Sequence, residues 1–311
     1  MNQPVNSPQM KHLVSMRDVT KEDMLSLIDL ASRIEAGQIK PDLSGKLGAL
    51  LFFEPSTRTY FSFDTAIKRL GGNTLAMTGS GSTSVKKGES LADTLMTVRQ
   101  YADFIVMRHK IEGAARFASE ILDIPVINAG DGTNQHPTQA MLDLYSIHKT
   151  QGTLENLTVA MIGDLRLGRT VHSLAQALSD FNPKFYFASP RHLQMPKYIK
   201  DELKNKGVDF EEVEDIKPII PHLDIMYVTR IQKERFAVLE DYEKVKDAYI
   251  ITPEVLENVK ENFRLMHPLP RVNEITVEVD KMPYAYYFRQ ARNGVVMRQA
   301  IIAKLLNLDV N

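Results

Sequence analysis

Four consecutive residues, Ser56–Thr57–Arg58–Thr59, follow the apolar run Leu47–Phe53 and open an amphipathic helical pattern. Three hydroxyls, the N–H groups of a helix start and a guanidinium together form an anion cradle. The helix dipole is positive there, and Arg58 adds a planar fork of donors. The anion suggested is a phosphate. Further polar residues stand where other apolar runs end: Arg108-His109, then Gly130 through Gln139 with His136 and Pro137, then Asp164 through Arg169. In the last third come Arg230-Ile231-Gln232 and His267-Pro268-Leu269-Pro270-Arg271. Arginines outnumber carboxylates in this set. Gathered in one cleft, they would suit a small ligand, or pair of ligands, with more than one anionic group.

Any one of these arginines is most simply a surface ion-pair partner, but Arg58, Arg108, Arg169 and Arg230 all fall at predicted strand ends. His136 stands apart from the other histidines because it sits at a strand end beside a helix-opening proline. His12, His109, His148, His172, His192 and His222 read as structural or solvated. Gly163-x-x-x-x-Gly168 has neither Rossmann glycine spacing nor a P-loop ending, so a nucleotide-dependent enzyme is disfavoured. No cluster has metal-ligand spacing, and there is no cysteine to supply a thiolate.

The elements that would position these residues alternate. Short β-rich runs at Leu47–Phe53, Asn73–Met77, Asp103–Met107 and Pro125–Asn128 are separated by helical patterns near Thr57–Leu70, Lys87–Tyr101 and Gly113–Leu122. A helix at Lys21–Glu35 precedes them, and Pro137 opens another reaching about Thr150. Alternation resumes with Leu157–Gly163, Lys184–Ala188, Val208–Val213, Leu223–Thr229, Ala248–Ile251 and Arg264–Met266. A helix is expected over Thr170–Asp180, and a last one over Val295–Leu306. This is the pattern of α/β architecture with parallel, doubly wound sheets. Open parallel sheets bind ligands beyond the carboxyl ends of their strands, where the polar residues fall. The length of 311 residues suggests two such domains, joined near residues 130–150. Residues 78–88 are the one Gly/Ser-rich stretch and end in Lys86-Lys87-Gly88.

Composition sets limits. A net charge of −1 provides no global basic field for nucleic acid. No apolar stretch reaches ~18 residues, so no membrane span is expected. The polar first ten residues lack the apolar core of a signal peptide. A cytoplasmic location is the expectation.

Taken together, the segments resemble the catalytic chain of the aspartate/ornithine carbamoyltransferase family. The matching stretches are Phe53 through Thr59, Lys87-Gly88-Glu89, Val106 through His109, Asn128 through Gly132, His136 through Gln139, Gly163-Asp164 with Gly168 through Ser173, Thr229 through Arg235, and His267 through Arg271. Ser-Thr-Arg-Thr indicates only the wider family. Thr-Arg-x-Gln-x-Glu-Arg and His-Pro-Leu-Pro-Arg point to its aspartate branch, since the ornithine enzyme typically carries His-Cys-Leu-Pro. The resemblance implies transfer of the carbamoyl group of carbamoyl phosphate to L-aspartate, the committed step of pyrimidine synthesis, with no cofactor and no metal. It also implies a carbamoyl-phosphate-binding domain over 1–134, an aspartate-binding domain over 135–291, and a C-terminal helix over about 292–311 packing back on the first.

By the same resemblance, Ser56, Thr57, Arg58 and Thr59 hold the phosphate. Thr59, Arg108 and His136 stabilise the carbonyl oxygen, and Arg108 also bridges to phosphate. Gln139 and the carbonyls of Leu269 and Pro270 take the carbamoyl NH2 protons. Arg169, Arg230 and Gln232 bind the carboxylates of aspartate. Ser84 and Lys87 enter a neighbouring subunit's site, which implies a homotrimer; here they lie three residues apart, where some relatives have four. A segment over 229–247 is expected to act as a lid. Some relatives bind a separate zinc-containing regulatory chain, which here would be another polypeptide. Two alternatives remain open at this stage: an ornithine-type or other amino-acid carbamoyltransferase, and a non-catalytic anion-binding protein on the same fold.

Overall fold

The structure, a computed structural model, describes residues 10–79, 88–231, 239–243, 245 and 247–308. Ser84, Lys87 and Gln232 lie outside these residues, as do residues 232–238, 244 and 246 of the expected lid. The chain divides into two compact units, one of residues 1–138 with 295–311 and one of residues 139–294.

In the first unit the elements run α1 (Lys21–Glu35), β1 (Leu47–Phe52), α2 (Thr57–Arg69), β2 (Asn73–Thr78), α3 (Leu91–Val98), β3 (Phe104–His109), α4 (Ala114–Ile121) and β4 (Val126–Asp131). The four strands form a parallel sheet in the order β2-β1-β3-β4. Parallel neighbours require a crossover, and each crossover described between them carries a helix. Strands β1, β3 and β4 are buried almost throughout, as the near-continuous apolar runs predict for a sheet covered on both faces. Ala49, Leu51, Ile105, Met107 and Val126 meet Leu95 and Ala118 of the helices in one core. Helix α2 stops at Leu70 because Gly71 takes a φ of 86°, and the Gly71 and Gly72 N–H groups donate to the carbonyls of Lys68 and Ile67.

Helix α5 (Pro137–Gln151) leads to β5 (Thr158–Ile162), α6 (Arg169–Leu178), β6 (Lys184–Ala188), α7 (Lys197–Asn205), β7 (Asp209–Val213), β8 (Ile225–Val228), α8 (Leu239–Glu243), β9 (Arg264–Met266) and α9 (Tyr287–Leu305). The second unit's sheet is again wholly parallel, in the order β7-β6-β5-β8-β9. Ala160, Ile162, Met226, Val228, Leu265 and Phe263 form one core of this unit with Tyr287.

Three expectations differ from the structure. Residues 248–251 form no strand; only Ile251 makes an isolated bridge, to Ile275, and Pro253 follows closely with no N–H to extend a ladder. The last helix begins at Tyr287 rather than Val295, because Gly294 lies within it instead of marking its edge. Strands β3 and β4 reach His109 and Asp131, so Arg108, Gly130 and Asp131 stand on strands and not after them.

Candidate functional site

In each sheet the strand order reverses once. In the first unit the chain steps from β1 to one side and then to the other, so the switch lies between β1 and β3. In the second it lies between β5 and β8. Ligands of doubly wound sheets bind at the carboxyl ends of such strand pairs. The sequence-derived candidates fall there in both units: the Ser56 segment after β1 and Arg108 at the end of β3, then Asp164–Arg169 after β5 and Arg230 after β8.

In the first unit, the start of α2 differs from those of its neighbours. Thr20 caps α1 by accepting from Asp23 N–H, and Ser90 caps α3 by accepting from Asp93 N–H. Both helices also carry acid in the first turn. At α2 the Ser56 side chain makes no capping bond, and the first turn has no acid and holds Arg58 instead. Thr57 and Arg58 are exposed, Ser56 is half-buried and Thr59 is buried. The start of α2 thus lacks both the side-chain cap and the first-turn acid that complete the starts of α1 and α3, a feature it shares with α4.

Arg108 is held from two sides. Its Nη1 donates to the Ala129 carbonyl at 3.2 Å, and its Nε lies 3.5 Å from Glu54 Oε2. The β3–β4 register shifts opposite Arg108, where β4 has an extra residue at Ala129-Gly130, and Gly130 takes a φ of 113°. Such a bulge re-aims a side chain at the strand end. His136, 4% exposed, precedes the proline that opens α5. The loop before it is tied by Asp131, whose Oδ1 accepts from Asn128 Nδ2 and Gln135 N–H. Its Oδ2 accepts from Gly113 N–H and Asn134 Nδ2. Gln135 Oε1 in turn accepts from Met16 N–H.

In the second unit, Gly163 ends β5 at a φ of 114°, and a Cβ there would lie 2.1 Å from the Thr229 carbonyl oxygen. Only glycine allows the β5 and β8 ends to approach so closely. Asp164 is fully buried and receives Leu167 N–H at 2.9 Å. Arg169, 8% exposed, is the first residue of α6, whose first turn has no acid. Arg230 is half-buried beyond Thr229, whose N–H and hydroxyl both donate to Ile162 O.

The 267–274 loop is built on two buried groups. Leu269 N–H donates to His267 Nδ1 at 2.7 Å, so the ring proton resides on Nε2, which lies 2.8 Å from Glu274 Oε1. The other Glu274 oxygen accepts from Val272 and Asn273 N–H. Burial pushes the Glu274 carboxyl up, but the His267 bond and backbone N–H groups hold it below its ordinary value. Leu269 takes a φ of 57°, unusual for its type, and the His267 bond helps to hold it there.

Sequence reasoning missed a buried cluster next to Gln139. Asp143 and Tyr227 are fully buried. Asp143 Oδ1 accepts from Gln139 Nε2 at 2.9 Å and from Gln290 Nε2 at 2.7 Å, and its Oδ2 accepts from the Tyr227 hydroxyl at 2.8 Å. Burial first, and then the Asp143 charge, push the Tyr227 phenol well above its ordinary range, which keeps it a donor. The only sequence signal was Asp143 on an otherwise apolar helical stretch. Among the described residues no group of three His, Asp or Glu side chains is arranged to hold a metal, and no helix is long and apolar enough to cross a membrane.

Comparison with known proteins places this geometry. The carbamoyl-P binding domain of the aspartate/ornithine carbamoyltransferases matches residues 11–149, and their Asp/Orn binding domain matches residues 155–305. An aspartate carbamoyltransferase catalytic subunit from Parabacteroides distasonis is 52% identical over 97% of this chain and 99% of its own length. One from Thermococcus kodakarensis is 53% identical over 96% of this chain and 97% of its own. Among solved structures, the catalytic subunit of M. jannaschii aspartate transcarbamoylase superposes with a TM-score of 0.89 at 50% identity, covering 96% of this chain and 98% of that one. The Trypanosoma cruzi aspartate transcarbamoylase in complex with carbamoyl phosphate and aspartate gives a TM-score of 0.89 at 37% identity, with 97% of each chain covered.

Proposed function

The chain belongs to the aspartate/ornithine carbamoyltransferase family, and on that premise we propose how its residues divide the work of the reaction. It catalyses transfer of the carbamoyl group from carbamoyl phosphate to L-aspartate, giving N-carbamoyl-L-aspartate and phosphate. The observation that carries this reading is about 50% identity, over nearly the full length of both chains, to an aspartate transcarbamoylase catalytic subunit.

The aspartate amine attacks the carbamoyl carbon, its carbonyl oxygen gains charge, and the bond to the phosphate oxygen breaks. The departing phosphate can accept the proton that the amine loses. Catalysis then rests on positioning and on donors aimed where charge develops. In our assignment, Ser56, Thr57, Arg58 and Thr59 grip the phosphate at the uncapped start of α2. Thr59, Arg108 and His136 meet the developing oxyanion, with Arg108 shared with phosphate. Gln139 and the main-chain carbonyls of Leu269 and Pro270 accept from the carbamoyl NH2. Arg169 and Arg230, with Gln232, bind the two carboxylates of aspartate, where a guanidinium fork reads carboxylate geometry as well as charge. Support for this division is that phosphate-type donors fall at one unit's switch point and Arg169 and Arg230 at the other's.

We also assign Ser84 and Lys87 to a neighbouring subunit's site within a homotrimer, and a cytoplasmic location. Mixing inactive Arg58→Ala and Lys87→Ala chains should restore activity through hybrid sites. No recovery in verified mixed trimers would sink the shared-site assignment. The function itself is tested by supplying carbamoyl phosphate with either aspartate or ornithine. Carbamoyl-aspartate is the expected product; carbamoyl-ornithine alone would overturn the substrate, and neither product would favour a binding protein.

A further inference from the structure

The buried cluster around Asp143 bears on how the carbamoyl group is recognised, and the inference rests on the function proposed above. A glutamine amide has a donor end and an acceptor end of nearly equal size, and nothing in its shape decides which faces a ligand. At Gln139 the neighbours decide. A carboxylate accepts and does not donate, so the end of the amide that meets Asp143 Oδ1 is its NH2. The amide nitrogen is thereby engaged by the cluster, and Oε1 is the end left over.

The same carboxylate orients a second amide. Gln290 donates through Nε2 to Asp143 and accepts through Oε1 from the His267 N–H at 3.0 Å. His267 then receives the Leu269 N–H. One buried carboxylate thus governs the orientation of Gln139 directly and, through Gln290 and His267, the segment bearing the Leu269 and Pro270 carbonyls. These are the three groups assigned to the carbamoyl NH2.

We propose that Asp143 is a positioning residue that turns the Gln139 amide so that it offers only an acceptor, making the NH2 of carbamoyl phosphate the feature by which this chain selects it over acyl phosphates with no N–H. Acetyl phosphate is the natural probe, because it has a methyl group where carbamoyl phosphate has NH2. A site built to accept N–H bonds discriminates strongly against an analogue that lacks them.

The test compares Asp143→Asn with the unaltered chain. Asparagine keeps the volume but offers both a donor and an acceptor, so the Gln139 amide can reverse. kcat/KM for carbamoyl phosphate in transfer to aspartate should fall about 10–100-fold, the range for leaving a buried polar group mispaired. Inhibition by acetyl phosphate should shift less than about twofold, since no N–H bond is at stake. In a Gln139→Met background, which has no amide to orient, Asp143→Asn should cause a clearly smaller further loss of selectivity between the two phosphates, the remainder being its effect through Gln290 and His267 on the Leu269 and Pro270 carbonyls. Equal weakening toward both phosphates, no change toward either, or full additivity with Gln139→Met would overturn the proposal. Should Asp143→Asn fail to fold, neutron diffraction from the unaltered protein decides: deuterons of the Gln139 amide aimed at Asp143 are expected, and an amide oxygen facing Asp143 would end the idea. If the unaltered chain makes no carbamoyl-aspartate, the functional reading fails instead, and the neutron result still reports the amide orientation.

Discussion

The start of α2 and the cluster around Asp143 and His267 solve opposite problems. The α2 start leaves Thr57 and Arg58 exposed, with no capping bond from Ser56 and no acid in its first turn. The Asp143–His267 region buries its polar groups and bonds them to one another. The first arrangement suits a grip by charge on a well-hydrated phosphate, where donors must be available when the ligand arrives. The second suits a choice by geometry, where each buried group has one permitted orientation and mispairing is costly. Removing a group from the first should therefore cost activity with little stability, and disturbing the second should cost both.

The largest effect expected is at Arg58. Arg58→Ala should lower kcat/KM by about 10²–10³-fold, as for loss of one preorganised charged donor, and leave the thermal midpoint nearly unchanged; a large fall in the midpoint would break the comparison. Glu274→Gln should cost about 1–3 kcal/mol of stability, because it mispairs His267 and two loop N–H groups. Glu274 has a folded-state value below its ordinary 4.5. Its contribution is therefore fully present above that value and lost as pH falls through the lower folded one. The gap in thermal midpoint between Glu274→Gln and the unaltered chain should accordingly narrow below pH 4.5; a gap that widens there would contradict the assignment. Smaller still is a pair of serine changes. Ser90→Ala removes a true cap from α3 and should cost about 1 kcal/mol of stability, whereas Ser56→Ala should leave stability nearly intact and weaken carbamoyl phosphate. The smallest effect is ionic: raising salt to about 0.5 M should increase the KM for carbamoyl phosphate a few-fold by screening the exposed grip. Selectivity against acetyl phosphate should not follow, since it depends on buried groups that salt screens little.

Much of the fold was legible because its signals are local. Apolar runs of strand length, helical periodicity between them and the Gly71-Gly72 stop each act over a few residues, and the parallel sheets follow from their alternation. Residues 248–251 misled because a short apolar run carries no information about whether a partner strand is available. The α9 start misled because Gly294 is a helix breaker by propensity and is overridden by packing. At the candidate site, Ser56–Thr59, Arg108, His136, Arg169 and Arg230 could be named from residue type and position at the ends of apolar runs.

By itself, then, the sequence determined which residues carry charge and hydroxyls, the alternation that sends them to strand ends, and the resemblance that names the reaction. Tertiary structure alone decided that α2 lacks the cap its neighbours have, that Arg108 stands on a bulged strand, and that Gln139, Asp143, Tyr227, Gln290 and His267 form one cluster. The physical reason is range. Propensity and periodicity act between near neighbours in the chain, whereas Asp143 meets Gln290 only after the second unit has folded around both, and the direction of an amide is set by whichever group it then faces.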